Sequence, residues 1–345
     1  MKRIGNLYSK VMEKENIRKA ILRASEHKRQ HANVKEILDN MDLYIDKLHA
    51  ILAAQEFRNS EYVLATIYEP LSKKTREIYK PKFFPDQVVH WCVMLQLQPL
   101  IMKGMDPHNC GNIPKRGERH IREYLKRVIT KDPKGTKYFL KYDIHHFYPT
   151  IDHEILMSKL KRIIKDAKLL ELLDEIISVS PKGIPIGTYT SQWLANYYLQ
   201  ELDHYTRESL KVKYMLRYVD DILILGPNKR ELKKIQKAIA GFLVKEKLSM
   251  KPSWIIRELA KQPIDFVGYK FYRNGKVAIR HRIWKNARRL MLRISHHGLG
   301  IIRARRFMSY YGYILNSDSN YIRQTYFKKL KIKEIRECIS KGGKT

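Results

Sequence analysis

The 345-residue sequence predicts an α+β fold, a small antiparallel sheet carrying acidic residues and enclosed by amphipathic helices. Three observations lead there. In Arg217-Tyr-Val-Asp-Asp-Ile-Leu-Ile-Leu225, apolar β-formers flank two adjacent aspartates. Tyr214 to Val219 therefore reads as one strand, Ile222 to Leu225 as the next, and Asp220-Asp221 as the tight turn between them. Phe139-Leu-Lys-Tyr-Asp143 is another apolar run that ends in an aspartate. Helical periodicity fills the chain before, between and after these runs.

Composition narrows the partners. Lys plus Arg number 68 and Asp plus Glu 35, a net charge of +33. A chain so charged repels itself unless a polyanion neutralises it, which points to nucleic acid. An anionic membrane surface is the competing partner. The sequence has neither a long apolar run nor a signal-like N-terminus, so no membrane is expected and a cytoplasmic location is. Cys92, Cys110 and Cys338 are unevenly spaced, which suits reduced thiols. His108 and Cys110 lie close together, but no second pair with zinc spacing accompanies them.

Two adjacent carboxylates repel each other, and a cation between them relieves the repulsion. An ordinary Asp-rich turn is the alternative reading. Asp143, brought alongside by a neighbouring strand, would complete a three-carboxylate cluster. Hard oxygen ligands of this kind suit Mg²⁺, with Mn²⁺ as a substitute. Two such ions about 3.5–4 Å apart can activate an attacking oxygen and stabilise a leaving one.

With Tyr218-Val-Asp-Asp221 and Asp143 in these positions, the sequence resembles the reverse transcriptases, from about Lys73 to about Ser319. The resemblance implies a right-hand polymerase with fingers, an antiparallel palm sheet and a helical thumb. It implies RNA-directed DNA synthesis from deoxynucleotides on a template RNA, giving a cDNA–RNA duplex. Asp143, Asp220 and Asp221 would hold two Mg²⁺, with the Ile144 carbonyl as an extra ligand. Asp143 and Asp220 would bridge both ions, and Asp221 would be more peripheral.

Taken in order, residues 1–60 are helical and basic. Val34, Ile37, Leu38, Met41, Ile45, Leu48 and Leu52 recur at helical spacing, as in a helix docked on the main body. Residues 61–137 resemble the fingers. There Arg76, and more weakly Lys74, matches the basic residue that grips the incoming triphosphate by charge-assisted hydrogen bonds. Cys110-Gly-Asn-Ile-Pro-Lys-Arg-Gly117 resembles a fingers loop that holds template backbone, with Lys115 and Arg116 as the contacts.

Residues 138–272 resemble the palm. Tyr148, five residues after Asp143, matches the aromatic gate that leaves no room for a 2′-hydroxyl, while Phe147 packs in the core. A long amphipathic helix is expected from Asp152 to Ser178, a fingers-side insertion at about 152–180. After a Gly/Pro-rich turn, a helix runs to about Leu210. Lys229 to Lys247 forms another. Lys251 matches a lysine that assists pyrophosphate departure. Phe266-Val267-Gly268-Tyr269 matches the hairpin that grips the primer end. In the thumb, residues 273–345, Ile283, Ala287, Leu290, Met291 and Ile294 mark a packed face. Lys285, Arg288, Arg289 and Arg293 lie around the other side, suited to phosphate tracking.

One motif suggests a branch of the family. Most reverse transcriptases read Gln-Gly, three residues, then Ser-Pro. Here the stretch is Ile186-Gly187-Thr-Tyr-Thr-Ser191-Gln192. That form resembles the enzymes of diversity-generating retroelements, as does Ser309-Tyr-Tyr-Gly-Tyr313. The resemblance implies a bacterial or phage-encoded enzyme that misincorporates opposite template adenines. It also implies a structured template RNA and a small basic accessory variability protein that forms an oligomeric ring. Retron or phage-defence enzymes and group II intron enzymes are the alternatives. No zinc-ligand segment follows the thumb, which sets the expectation against the intron maturase form. A basic nucleic-acid-binding protein on an inactive polymerase fold is the alternative of another class, and the intact aspartate set argues against it.

Overall fold

The structure is a computed structural model that describes residues 3–69, 74–319, 321, 324–325 and 332–341. The chain opens with four helices, α1 (Leu7–Met12), α2 (Lys14–Ala24), α3 (Ala32–Asp39) and α4 (Met41–Ala53). A hairpin follows, β1 (Val63–Glu69) and β2 (Lys74–Lys80), then α5 (Val88–Lys103) and α6 (Glu118–Lys131). Next come β3 (Tyr138–Asp143), the single turn α7 (Phe147–Thr150), α8 (His153–Lys161) and α9 (Ala167–Ile177). Helices α10 (Tyr189–Tyr198) and α11 (Gln200–His204) lead into β4 (Tyr214–Tyr218) and β5 (Asp221–Gly226). After α12 (Lys229–Lys245) come β6 (Ile255–Glu258), β7 (Ile264–Phe266), β8 (Tyr269–Phe271) and β9 (Val277–Ile279). Helices α13 (His281–His297), α14 (Ile301–Leu315) and α15 (Ile332–Lys341) complete the described chain.

The central sheet has the order β4-β5-β3-β6 and is antiparallel throughout. Its strands are near-continuous apolar runs because both faces are covered. Leu140, Tyr142, Ile222 and Ile224 face one core, shared with α1, α2, α5, α8, α9, α10 and α12. Phe139, Leu216, Leu223 and Leu225 face a second core, shared with α6, the β7-β8-β9 sheet and α13 to α15. The alternation follows from the two-residue period of a strand. It also decides which face each polar residue takes. Lys141, Asp143 and Asp221 fall on the side of Phe139 and Leu223, toward the second core.

The N-terminal helices pack into the first core, as the docking expectation has it, with Val11, Ile17, Ile21, Leu48 and Leu52 buried there. The helical repeat from Val34 to Leu52 is broken once, at Asn40, whose backbone leaves helical geometry between α3 and α4. The long helix expected from Asp152 to Ser178 is two helices. Ile4 inserts beside Ile164, its N–H donating to the Ile163 carbonyl (2.9 Å) and its carbonyl accepting from Lys165 N–H (2.8 Å). Those bonds draw the chain out of the helix at Ile164, and α9 begins at Ala167 with Asp166 as its N-cap. No described helix is long and apolar enough to cross a membrane.

Candidate active site

The aspartate turn sits one residue earlier than the strand pattern suggests. Tyr218 pairs with Asp221, so the two-residue turn is Val219-Asp220, and Asp221 already belongs to β5. Val219 has φ 57°, a left-handed conformation costly for a β-branched residue. Neighbouring structure holds it there. The Arg217 side chain is fully buried and binds both carboxylate oxygens of Asp203, at 2.8 and 2.6 Å. It also donates to the Val219 carbonyl (3.1 Å) and to the side chain and carbonyl of Asn196 (3.0 and 3.2 Å). Asn196 in turn donates to the Gly111 carbonyl (2.8 Å) and accepts from Asn109 (3.1 Å). Residues 108–110 run beside β4, with Arg217 N–H donating to His108 and Cys110 N–H to Arg217.

Asp143 and Asp221 are register partners across β3 and β5, and Ile144 N–H donates to the Asp220 carbonyl (3.2 Å). The three aspartates expected to meet are therefore neighbours. Their charges act on one another. Burial and then Asp143 raise the Asp220 carboxyl above its ordinary value, while Arg76 and Lys251 pull it down. Burial pushes the Asp221 carboxyl up to about 7, against Lys141 and with Asp143 and Asp220 adding to the rise. Among the described residues, no group of three or more His, Cys, Asp or Glu side chains is disposed to hold a metal ion. Two of the three neighbouring carboxylates instead meet lysines. Lys141 Nζ lies 3.4 Å from Asp221 Oδ2, and Lys251 Nζ lies 3.4 Å from Asp143 Oδ1. Asp221 Oδ1 is buried without a hydrogen-bond partner among the described residues. The all-oxygen donor set, the mutual repulsion and this orphaned oxygen fit a divalent cation.

Other expected residues fall around this pocket. Arg76, exposed on β2, is close enough for its charge to act on both Asp220 and Tyr148. The Lys74 side chain lies outside the described residues, as does Lys73. The Tyr148 phenol is half-buried, and burial followed by the Asp220 charge raises its pKa. Phe147 is buried in the core. Ile186 is half-buried and Gly187 exposed. Ser191 and Gln192 follow in the first turn of α10. Ser191 is buried, accepting from the Thr188 hydroxyl (2.7 Å) that caps α10, and the Gln192 carbonyl accepts from Asn196 (3.1 Å). Lys251 N–H also donates to the Asp143 carbonyl (2.9 Å).

The stretch matched to the primer grip is the β7-β8 hairpin. Phe266 and Tyr269 are fully buried, and Val267, half-buried, tips a two-residue turn with Gly268. Both turn residues have positive φ, 43° and 89°, as tight hairpins require. The close approach that Gly268 permits is by Tyr313, whose Cε1 would lie 2.6 Å from an added Cβ. Arg116 donates to the Asp106 carbonyl (2.9 Å) within its own loop, while Lys115 is exposed. On α13, Lys285, Arg289 and Arg293 line a groove of about 500 Å³, joined by Arg282, Arg306 and, from β1, Tyr68. Arg288 is exposed and lies outside that lining.

Sequence reading missed Lys141, Arg217, Asn196 and Asp203. A signal existed for two of them. Lys141 stands two residues before Asp143 and so on the same strand face. Arg217 is a lone cation in an apolar strand, which demands a buried partner. Removing that partner tests the turn. Asp203→Ala is expected to cost about 3–5 kcal/mol of stability, since it strands a buried guanidinium. Urea denaturation would measure it, and a loss under about 1 kcal/mol would contradict the ion pair's role.

A family model described as "Reverse transcriptase (RNA-dependent DNA polymerase)" matches residues 73–271, more than half of the chain. Protein YkfC of Escherichia coli K12 is 24% identical over 184 residues, 47% of this chain and 48% of YkfC. The retron Ec73 reverse transcriptase of Escherichia coli is 26% identical over 162 residues, 43% of this chain and 48% of that protein. The group II intron-encoded protein LtrA of Lactococcus lactis subsp. cremoris is 28% identical over 153 residues, 41% of this chain and 24% of LtrA. The matches thus span about half the length of the first two relatives and about a quarter of the third. Among solved structures, apo telomerase from Candida tropicalis has a TM-score of 0.52 at 12% identity, over 82% of this chain and 61% of that one. Telomerase from Candida albicans, in complex with a fragment of telomeric RNA, has a TM-score of 0.50 at 13% identity, over 83% and 59%. At such identities the likeness is one of fold, and the fold is the right-hand polymerase fold. The matched family model covers Asp143, the Val219-Asp220 turn and Arg76, and the chain belongs to the reverse transcriptase family.

Proposed function

We propose that this chain is an RNA-directed DNA polymerase of the diversity-generating retroelement type. The observation that carries the polymerase reading is the meeting of Asp143, Asp220 and Asp221 in one partly buried pocket faced by Arg76 and Tyr148. Residues 61–137 would serve as fingers, 138–272 as palm and 273–345 as thumb, with 1–60 an N-terminal helical extension. Asp143 and Asp220 would hold two Mg²⁺, with Asp221 and the Ile144 carbonyl peripheral. Bound there, the ions would activate the primer hydroxyl and stabilise the departing oxygen.

The protein's own residues do the rest. Arg76 grips the triphosphate of the incoming deoxynucleotide with a charge-assisted fork. Tyr148 blocks a 2′-hydroxyl. Lys251 and Lys141 neutralise the carboxylates while no cation is bound, which keeps the pocket from flying apart. The groove between Tyr68 and the basic face of α13 accommodates the phosphate backbone of template and product. Because Phe266 and Tyr269 are buried, the β7-β8 hairpin supports the primer end through its turn.

The retroelement assignment rests on Ile186-Gly187 with Ser191-Gln192. A glutamine at 186 could hydrogen-bond near the nascent pair, and the half-buried isoleucine cannot. Mismatches are excluded by only a few kcal/mol, so losing one positioned polar contact relaxes selection. A structured template RNA and a small basic oligomeric accessory protein are the partners this reading brings, in a bacterial or phage-infected cytoplasm. A second reading, a retron or group II intron enzyme, is favoured by the names of the relatives above.

Two measurements test these readings. Asp220→Asn is expected to abolish primer extension while leaving nucleic-acid affinity within about twofold; appreciable extension by the variant would sink the site assignment. Sequencing cDNA copied from a defined template should show errors concentrated at template adenines, reduced in Ile186→Gln. An error spectrum without adenine bias would favour the second reading.

A further inference from the structure

The hairpin that carries Arg76 has no core of its own. Val63, Leu64, Ile67 and Tyr68 are all exposed. A two-stranded hairpin without a packed face is marginal, so the bonds at its root bear on where Arg76 sits.

Both strands of that root are tied to the same short stretch, Ile186 to Thr190. On the β2 side, Tyr79 N–H donates to the Ile186 carbonyl at 2.7 Å. Gly187 has φ 111°, and a Cβ there would lie 2.7 Å from the Tyr79 carbonyl oxygen. On the β1 side, the hydroxyl of Tyr62, the residue before Val63, is 3.0 Å from His90 Nε2. The other ring nitrogen, Nδ1, is 2.9 Å from Thr190 Oγ1. His90 and Thr190 are both buried. Burial pushes the imidazole down to about 3, so the ring is neutral, with one nitrogen donating and the other accepting. Just upstream, Ser60 N–H donates to Asp86, Asn59 N–H to Glu175 and the Tyr62 hydroxyl to Asn59 Oδ1 (3.2 Å), but none of these bonds reaches residues 186–190.

We propose that His90 is a positioning residue: its two ring nitrogens fix the spacing between the Arg76 hairpin and the Ile186-Gly187 turn, and so tune affinity for the incoming nucleotide. His90 itself touches no substrate. The proposal rests on the polymerase reading above. A rigid planar ring suits the task because it has few rotamers to lose and bonds in two fixed directions. The same arrangement gives Gly187 a second duty, since any side chain there would push β2 and Arg76 away from the pocket.

Two readouts separate this idea from the reading beneath it. Hydrogen–deuterium exchange needs no activity. In His90→Leu, amides of residues 74–80 should exchange faster while those of 214–226 stay protected. Primer extension then reads the consequence. His90→Leu should raise KM for the deoxynucleotide about tenfold, with kcat within about twofold and template–primer affinity unchanged. Tyr62→Phe and Thr190→Val are near-isosteric and guard against misfolding. Each should raise KM about threefold, and their combination should not exceed His90→Leu. His90→Gln, which retains a polar group near the Tyr62 hydroxyl, should recover part of the loss. Unchanged exchange at 74–80, or a fall in kcat at constant KM, would overturn the proposal. Absence of primer extension by the wild-type protein would overturn the polymerase reading instead, and the exchange experiment would still decide whether His90 holds the hairpin.

Discussion

The buried pair between Arg217 and Asp203 is the constraint on which the rest of the pocket depends. A guanidinium with no solvent access must be fully satisfied, and five hydrogen-bond donors in a fixed fork can satisfy partners on several elements at once. Here they join α11 through Asp203, α10 through Asn196 and the turn through the Val219 carbonyl. Left-handed backbone at Val219 costs on the order of 1–3 kcal/mol, and a turn with that strain persists only when its surroundings over-determine it. Arg217 and the 108–111 segment supply that surrounding. Asp220 is then presented beside Asp143 with little freedom to withdraw.

Charge balance explains the composition of the pocket. Three carboxylates crowd a region of a protein whose net charge is +33, and each meets a local cation. Lys141 takes Asp221, Lys251 takes Asp143, and Arg76 and Lys251 bear on Asp220. Lys141 also donates to the Asp265 carbonyl at 2.8 Å, and the Asp265 carboxylate holds Arg280, the residue before α13. The acidic pocket is therefore wired to the start of the basic helix that lines the groove. The bulk of the positive charge lies elsewhere, on exposed helix faces where water screens it until a polyanion arrives.

Particular residues show where sequence pattern stopped being informative. Alternation located β3, β4 and β5, yet placed the turn one residue late, because Val219 has strand-like character and adopts a left-handed turn only under tertiary pressure. Phe266 and Tyr269 match the primer-grip motif by position, and only the structure shows that their side chains are buried, since motif position carries no information about depth. The amphipathic repeat from Asp152 to Ser178 was continuous in sequence, but Ile4, more than 150 residues away, pairs with the chain at Ile164 and breaks the helix.

What the sequence by itself determined was local and periodic. It specified the acidic strand ends, the packed face of α13 with its exposed cations, and a family motif dense enough to identify the fold. Those features follow from side-chain spacing, which the chain carries wherever it lies. Tertiary structure alone decided which cation meets which carboxylate, that Arg217 is buried, and that Tyr62, His90 and Thr190 form one bridge. These depend on contacts between residues as far as 108 positions apart, and burial, not spacing, turns such contacts into strong interactions by removing water from between the partners.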